Sequence, residues 1–294
     1  MSEAELEAIK KIAVDDWDGM TRQELISITP KTNSLMGYDG PDRVVSNAEY
    51  WLEQDGKKFT EIKTYESKIF GLDAYTGGFQ AGEVWVISGP SKHGKTTLCE
   101  SISHEISIQG AKCLWFSFES SQQFMVRQKD VKDLIYIPRE KKPNNMNWIE
   151  DRILEAKLKY GIDVVFLDHL HYLAPFDKLL KNPSVTIGAL MRTIVSDIAA
   201  KYDLLVFLVA HVTKLDFTEE PNENDIRDSS FVTQEAHGTI MVYRRLKEGK
   251  KCGDQEPFDN KAKLIVCNTR RTGAMRGKVN LVKVGNFLKE EFYE

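Results

Sequence analysis

From Ile69 onward, short apolar runs alternate with longer stretches whose apolar residues recur every three or four positions. "EVWVISG" is the first short run, and a helix is expected after it from Lys95 to about Ile108. "AKCLWFSFE" is the next strand, and "NWIEDRILEAKLKYG" reads as a helix stopped by Gly161. "DVVFLDHL" is an apolar strand with an acid at its tip, "SVTIGALMRTIVSDIAAKYD" is a helix, and "LLVFLVAH" is another buried strand. Strands apolar throughout, alternating with helices, predict a mostly parallel sheet covered on both faces. The last three runs, "GTIMVYRR", "AKLIVCNT" and "KVNLVKV", follow one another without long helices between them. They predict an antiparallel C-terminal edge on this α/β fold.

Residues 1–65 read differently. An amphipathic helix is expected over roughly 3–16, then a polar stretch, then a short helix in "SNAEYWLEQD" with Ser46 as its N-cap. This region has too little apolar content to fold alone. It reads as an arm packing on the main domain, residues 66–294, or on a neighbouring subunit.

Composition narrows the options. In a chain of 294 residues, a hydrophobic share of 41% is enough for a real core. The net charge of −4 offers no global attraction for nucleic acid, so any such site must be local. Cys99, Cys113, Cys252 and Cys267 form no C-x-x-C pair, which predicts reduced thiols in a cytoplasmic protein. The acidic N-terminus has no apolar signal segment, and no run reaches the length of a membrane span.

The chemistry begins at "GPSKHGKTT", Gly89 to Thr97. It fits the phosphate-loop pattern, follows a strand and opens a helix, so successive backbone N–H groups and the helix N-terminus face an anion. Gly89, Pro90, Ser91, Lys92, His93, Gly94, Lys95, Thr96 and Thr97 are the expected nucleotide cradle for ATP or another NTP. Lys95 pairs with β- and γ-phosphates in such loops, and the Thr96 hydroxyl ligates Mg²⁺. Asp168, at the tip of "DVVFLD", is the expected holder of Mg²⁺ or its water. The residue after it is His169, so a carboxylate that activates water must come from elsewhere. Glu119, ending "LWFSFE", is the candidate; an acid there either polarises water or favours the dipole of the next helix.

"LDAYTGGFQAGEVWVISGPSKHGKTT", "FSFES", "VVFLDHLHYL", "LLVFLVAH", "DIRDSS…TQEAHGTIMVYR" and "NTRRTGAMRG" occur in one order. Together they resemble the RecA-like ATPase domain of hexameric replicative helicases of the DnaB type, particularly the phage and mitochondrial branch, over roughly residues 64–293. The resemblance implies that Glu119 is the catalytic glutamate and Asp168 the Mg²⁺ aspartate. It implies that His211 senses the γ-phosphate and that Arg270 is an arginine finger reaching a neighbouring subunit's site. Arg244 or Arg245 then lines the base or ribose, with Arg244 preferred. A helix before the ATPase domain is implied to dock on the adjacent subunit. The loop after His211 is implied to grip single-stranded DNA through Lys214 or Arg227, with Phe217 available for stacking.

Two positions and one loop depart from the family pattern. Asn268 stands where a lysine precedes the finger, Ser230 replaces a glycine, and the DNA loop carries Asp216, Glu219, Glu220, Glu223 and Asp225. Such acids repel phosphates. The function expected is an NTP-driven, Mg²⁺-dependent DNA helicase or translocase in replication. It is expected to form a homo-oligomer, a hexameric ring by resemblance, with a separate primase, polymerase or loader as further partners, and the phage-type motifs lean viral. The alternative is a RecA-fold oligomeric ATPase acting in recombination or regulation without unwinding. A small-molecule kinase is disfavoured, because a terminal hairpin bearing a finger makes sense only with a neighbour.

Overall fold

The computed structural model describes residues 38–40, 43–53, 63–118, 121–173, 183–212, 220–226, 229–250, 254, 257–271 and 275–292. Contacts divide the chain into two units, Met1–Glu61 and Ile62–Glu294. In the first unit, α1 spans Asn47–Glu53. The Ser46 hydroxyl accepts from the Glu49 amide at 3.1 Å, the expected N-cap. The helix expected over 3–16 lies outside the described residues.

The second unit opens with a two-stranded antiparallel pair, β1 (Thr64–Tyr65) and β2 (Phe79–Gln80), flanking the short helix α2 (Phe70–Thr76). β3 (Val84–Ser88) leads through the Gly89–Gly94 loop into α3 (Lys95–Ile108). β4 (Cys113–Ser117), α4 (Ser121–Arg127), the two-residue β5 (Ile135–Tyr136) and α5 (Met146–Tyr160) follow. Gly161 caps α5 in the left-handed conformation, as its sequence position predicts. β6 (Val164–Asp168) comes next, then α6 (Pro183–Arg192), which continues as π-type turns over Thr193–Ala200. The remaining elements are β7 (Leu205–Val209), α7 (Ser229–Glu235), β8 (Gly238–Tyr243), β9 (Lys261–Thr269), β10 (Gly277–Val284) and β11 (Phe287–Glu290).

Among the described residues the main sheet has nine strands in the order β11-β10-β9-β8-β3-β7-β6-β4-β5. β8, β3, β7, β6, β4 and β5 run parallel; β9, β10 and β11 continue the sheet antiparallel. The expected antiparallel edge is present with a refinement. β8 belongs to the parallel part through β3, and β11 adds a strand that the hydrophobic pattern does not announce. Only Leu288 of β11 is buried, so its sequence carries almost no apolar signal. It is held by its pairing with β10 and by the Leu288 amide, which donates to Ser101 Oγ on α3 at 2.8 Å.

Alternation along the central strands fills two cores. Trp85, Ile87, Trp115, Phe166 and Phe207 point to the face covered by α3, where Leu98, Ile102 and Ile106 meet them. Val84, Val86, Leu114, Val165 and Leu208 point to the face covered by α5 and α6. Residues one apart thus serve opposite layers, which is why these strands are apolar throughout. Trp85, Phe207, Phe166 and Trp115 lie in register across four strands. The Trp115–Phe166 and Phe166–Phe207 rings stack at 4.4 and 4.9 Å, which fixes the relative height of β4, β6 and β7.

This ladder leaves no room at its end. A Cβ on Gly238 would stand 2.1 Å from the buried Trp85 ring. Gly238→Ala is therefore expected to cost about 1–3 kcal/mol by overpacking. Urea unfolding checks this: the midpoint should fall, and an unchanged midpoint would contradict the packing described.

Candidate nucleotide site

Parallel strands deliver their C-terminal ends to one edge of the sheet, and the sequence motifs gather there. Gly89 (φ 143°) and Gly94 (φ 98°) adopt backbone conformations that favour glycine. At Gly89 there is also no space: a Cβ would meet the Val242 carbonyl oxygen of β8 at 2.3 Å. α3 begins at Lys95, so the free amides of its first turn open onto the loop. Lys95 is buried, and its Nζ donates to the carbonyls of Gly89 at 2.9 Å and Pro90 at 3.1 Å. Ser91 and Lys92 are exposed at the tip, and Thr97 is half-buried.

Thr96 and Asp168 are brought together. The Thr96 hydroxyl donates to Asp168 Oδ2 at 3.0 Å, although β7 separates β3 from β6. A hydroxyl and a carboxylate at this spacing suit a hard divalent cation, whose ligands are oxygens. The cradle for phosphates and the oxygen pair for Mg²⁺ thus fit the expected groups. Ser117 pairs with Asp168 across β4 and β6, and the Phe118 amide donates to the Asp168 carbonyl at 3.0 Å. Glu119 itself lies outside the described residues, as do Lys214, Arg227 and Phe217.

His211 follows β7 directly beside the loop strand; the Ala210 amide donates to Ile87 and the Ser88 hydroxyl to Ala210, both at this edge. Its ring stands 4.1 Å from that of His169, edge to face, and His171 is 6.3 Å away. Burial, His171 and Lys95 together push His169 down to about 4. His169 is therefore a neutral imidazole at neutral pH, not a substitute for a carboxylate.

His93 does not face solvent with the rest of the loop. It is fully buried, with its ring 4.6 Å from Phe258 and 5.4 Å from Tyr243, and Nδ1 accepts from the Arg244 amide at 3.0 Å. It braces the loop against the end of β8. Arg244 sits alongside, its Nε donating to the Asp259 carbonyl at 3.0 Å and its guanidinium lying over Phe258.

Arg270 is exposed at the opposite end of the sheet. Its amide donates to the His237 carbonyl, and Thr269 pairs with Gly238, the first residue of β8. The phosphate loop lies beyond the last residues of β8, so the length of that strand, about 20 Å for six residues, separates Arg270 from Lys95 of the same chain. Arg271, also exposed, is tethered within the chain. Its Nε meets Glu83 at 3.2 Å, and its guanidinium donates to the carbonyls of Thr76 and Gly78. These bonds tie the turn to α2 and engage Arg271 within the chain.

Sequence reasoning missed one buried pair. Glu100, fully buried on α3, receives Nε and Nη2 of Arg127 at 2.6 and 2.5 Å. Burial pushes Glu100 up and the guanidinium pulls it back. The pair pins the end of α4 to the phosphate-loop helix. A lone acid inside an otherwise buried helix face was the available signal.

Residues 65–133 match the family model described as the DnaB-like helicase C terminal domain. The fold is that of RecA-like ATPase domains. One similar solved structure is titled "ATPase Domain of G40P": 16% identity, TM-score 0.68, covering 85% of this chain and all of that one. A second, a DnaB-like replicative helicase solved for its interactions with primase, is 17% identical with a TM-score of 0.63. It covers 97% of this chain and 74% of its own. The family match covers the phosphate-loop segment, and the two solved structures share the fold of the sheet domain. Among the described residues no helix is long and apolar enough to cross a membrane.

Desolvation first, then Lys95 and Arg244, push His93 down from 6.5 to about 4. Its contribution to stability is therefore full above pH 6.5 and declines as the pH falls towards 4. Thermal melting followed across this window should show a steeper loss in the parent than in His93→Gln, which cannot titrate. Parallel profiles would refute the bracing role.

Proposed function

We propose that this chain is an NTP-hydrolysing, ring-forming helicase or translocase that moves on single-stranded DNA and hydrolyses at the seam between copies. One separation carries the reading. Lys95, Thr96 and Asp168 gather at one end of the sheet, while Arg270 stands exposed at the other. A finger so placed serves a neighbour's phosphates and not its own.

In this reading Lys95 pairs with β- and γ-phosphate oxygens, and Thr96 and Asp168 hold Mg²⁺, which neutralises phosphate charge when bound. Glu119 takes a proton from the attacking water as its oxygen bonds to the γ-phosphorus; the bond to the β–γ bridging oxygen breaks and ADP leaves. Arg270 of the adjacent copy stabilises the charge spread over the transferring group. His211 donates to a γ-phosphate oxygen and Arg244 lines the base or ribose. Residues 1–65 act as the arm that docks on a neighbouring copy, and the ring is a hexamer. Lys214 and Arg227 hold the DNA backbone. A separate primase, polymerase or loader completes the machinery.

The alternative, a RecA-fold ATPase without unwinding, drew its support from the acids of the loop after His211. Two of these acids, Glu220 and Glu223, are paired with Lys263, Lys278 and Arg276 of the same chain, which weakens that argument.

Hydrolysis measured with and without a single-stranded oligonucleotide tests the reading. The oligonucleotide should raise the rate. Changing Lys214 and Arg227 to Ala together removes two phosphate contacts, so the slope of log affinity against log salt should shrink by about 1.4. Hydrolysis indifferent to DNA would favour the regulatory alternative.

A further inference from the structure

The acidic segment after His211 is stapled across the antiparallel edge of the sheet. An antiparallel bridge between Val212 and Ile226 closes the loop beside His211. On the returning arm, Glu220 receives Lys278 Nζ of β10 at 2.6 Å and also contacts Lys263 Nζ of β9. Three residues on, Glu223 accepts from Arg276 Nη2 at 3.0 Å and from Asn268 Nδ2 at 3.5 Å. Asn268, near the end of β9, and Arg276, just before β10, flank the connection in which Arg270 lies.

These contacts run along the sheet. Lys263 pairs with Tyr243 at the phosphate-loop end of β8, and Asn268 pairs with Thr239 at the other. The segment between them is stiff: Asn222 and Asp225 cap each other's backbone in a reciprocal box around a short 3₁₀ turn. It stands over a cleft of about 540 Å³ lined by Ile265, Val266 and Cys267. Side-chain charges reach across that cleft to the strands, while Pro221 and Ile226 of the segment are buried. The lysines hold the Glu220 carboxyl below its ordinary value.

We infer that Glu223, supported by Glu220, is a positioning residue for Arg270, a strut that passes the state of the His211 end of the sheet to the turn facing the next copy. The inference rests on the seam-hydrolysis reading above. It also gives Asn268 a role: where the family pattern has a second cation, this chain has an amide turned to the strut.

The test uses the full chain and steady-state hydrolysis of Mg·ATP by the parent, Glu223→Gln, Arg270→Ala, their double variant, and the charge swap Glu223→Arg with Arg276→Glu. Glu223→Gln is expected to lower kcat about tenfold with KM within about twofold of the parent, the mark of an interaction felt in the transition state. In the Arg270→Ala background the same change should cost nothing further, because the finger it positions is gone. The swap should recover most of the loss. Equal fold losses in both backgrounds, or a kcat for Glu223→Gln within about twofold of the parent while Arg270→Ala is impaired, would overturn the strut alone. An Arg270→Ala protein as fast as the parent would overturn the seam reading, and the strut with it.

Discussion

The hydrogen bond from Thr96 to Asp168 joins the first turn of α3, which follows β3, to the end of β6, a strand not adjacent to β3, and the site depends on what makes it possible. β3, β7 and β6 must run parallel, and their ends must stop at one height. The stacked rings of Trp115, Phe166 and Phe207 set that height from inside the core. Gly89 lets β8 approach until its Val242 carbonyl touches the start of the loop. Geometry at the edge is thus a consequence of packing some residues below it. A buried, pre-formed arrangement is what electrostatic catalysis requires, since dipoles already in place cost no reorganisation.

The same rule that concentrates the phosphate chemistry excludes Arg270 from it. β9 runs against β8, so the residue that ends β9 emerges where β8 begins. Antiparallel extension of a parallel sheet therefore places the two halves of the proposed reaction at opposite poles of one molecule. A second copy supplies the natural way to join them. Glu220 and Glu223 lie along this axis, paired to Lys263 of β9, Lys278 of β10 and Arg276 just before β10. The charges of these two carboxylates are met within the chain.

Much of this was legible in the sequence, for physical reasons. β3, β6 and β7 are buried on both faces, so each reads as an unbroken apolar run, and α5 carries its own stop signal in Gly161. The phosphate loop and Asp168 were readable because their chemistry fixes both residue type and context. β5, at two residues, and β11, with one buried side chain, are held by neighbours and left no periodicity to read. His93 looked like a loop residue because burial is a property of the fold and not of the local sequence. The tether of Arg271 is equally invisible locally, since its partners Glu83, Thr76 and Gly78 come from a distant segment.

The central claim is that one catalytic centre is assembled from two copies. Mixing two inactive variants tests it most directly. Lys95→Ala lacks the phosphate lysine but keeps the finger; Arg270→Ala keeps the lysine but lacks the finger. Each alone should hydrolyse ATP poorly. Mixed, they create seams that pair an intact loop from one with an intact arginine from the other, so activity should exceed the sum of the separate proteins. A mixture no more active than that sum, with mixed oligomers shown to form, would contradict the account.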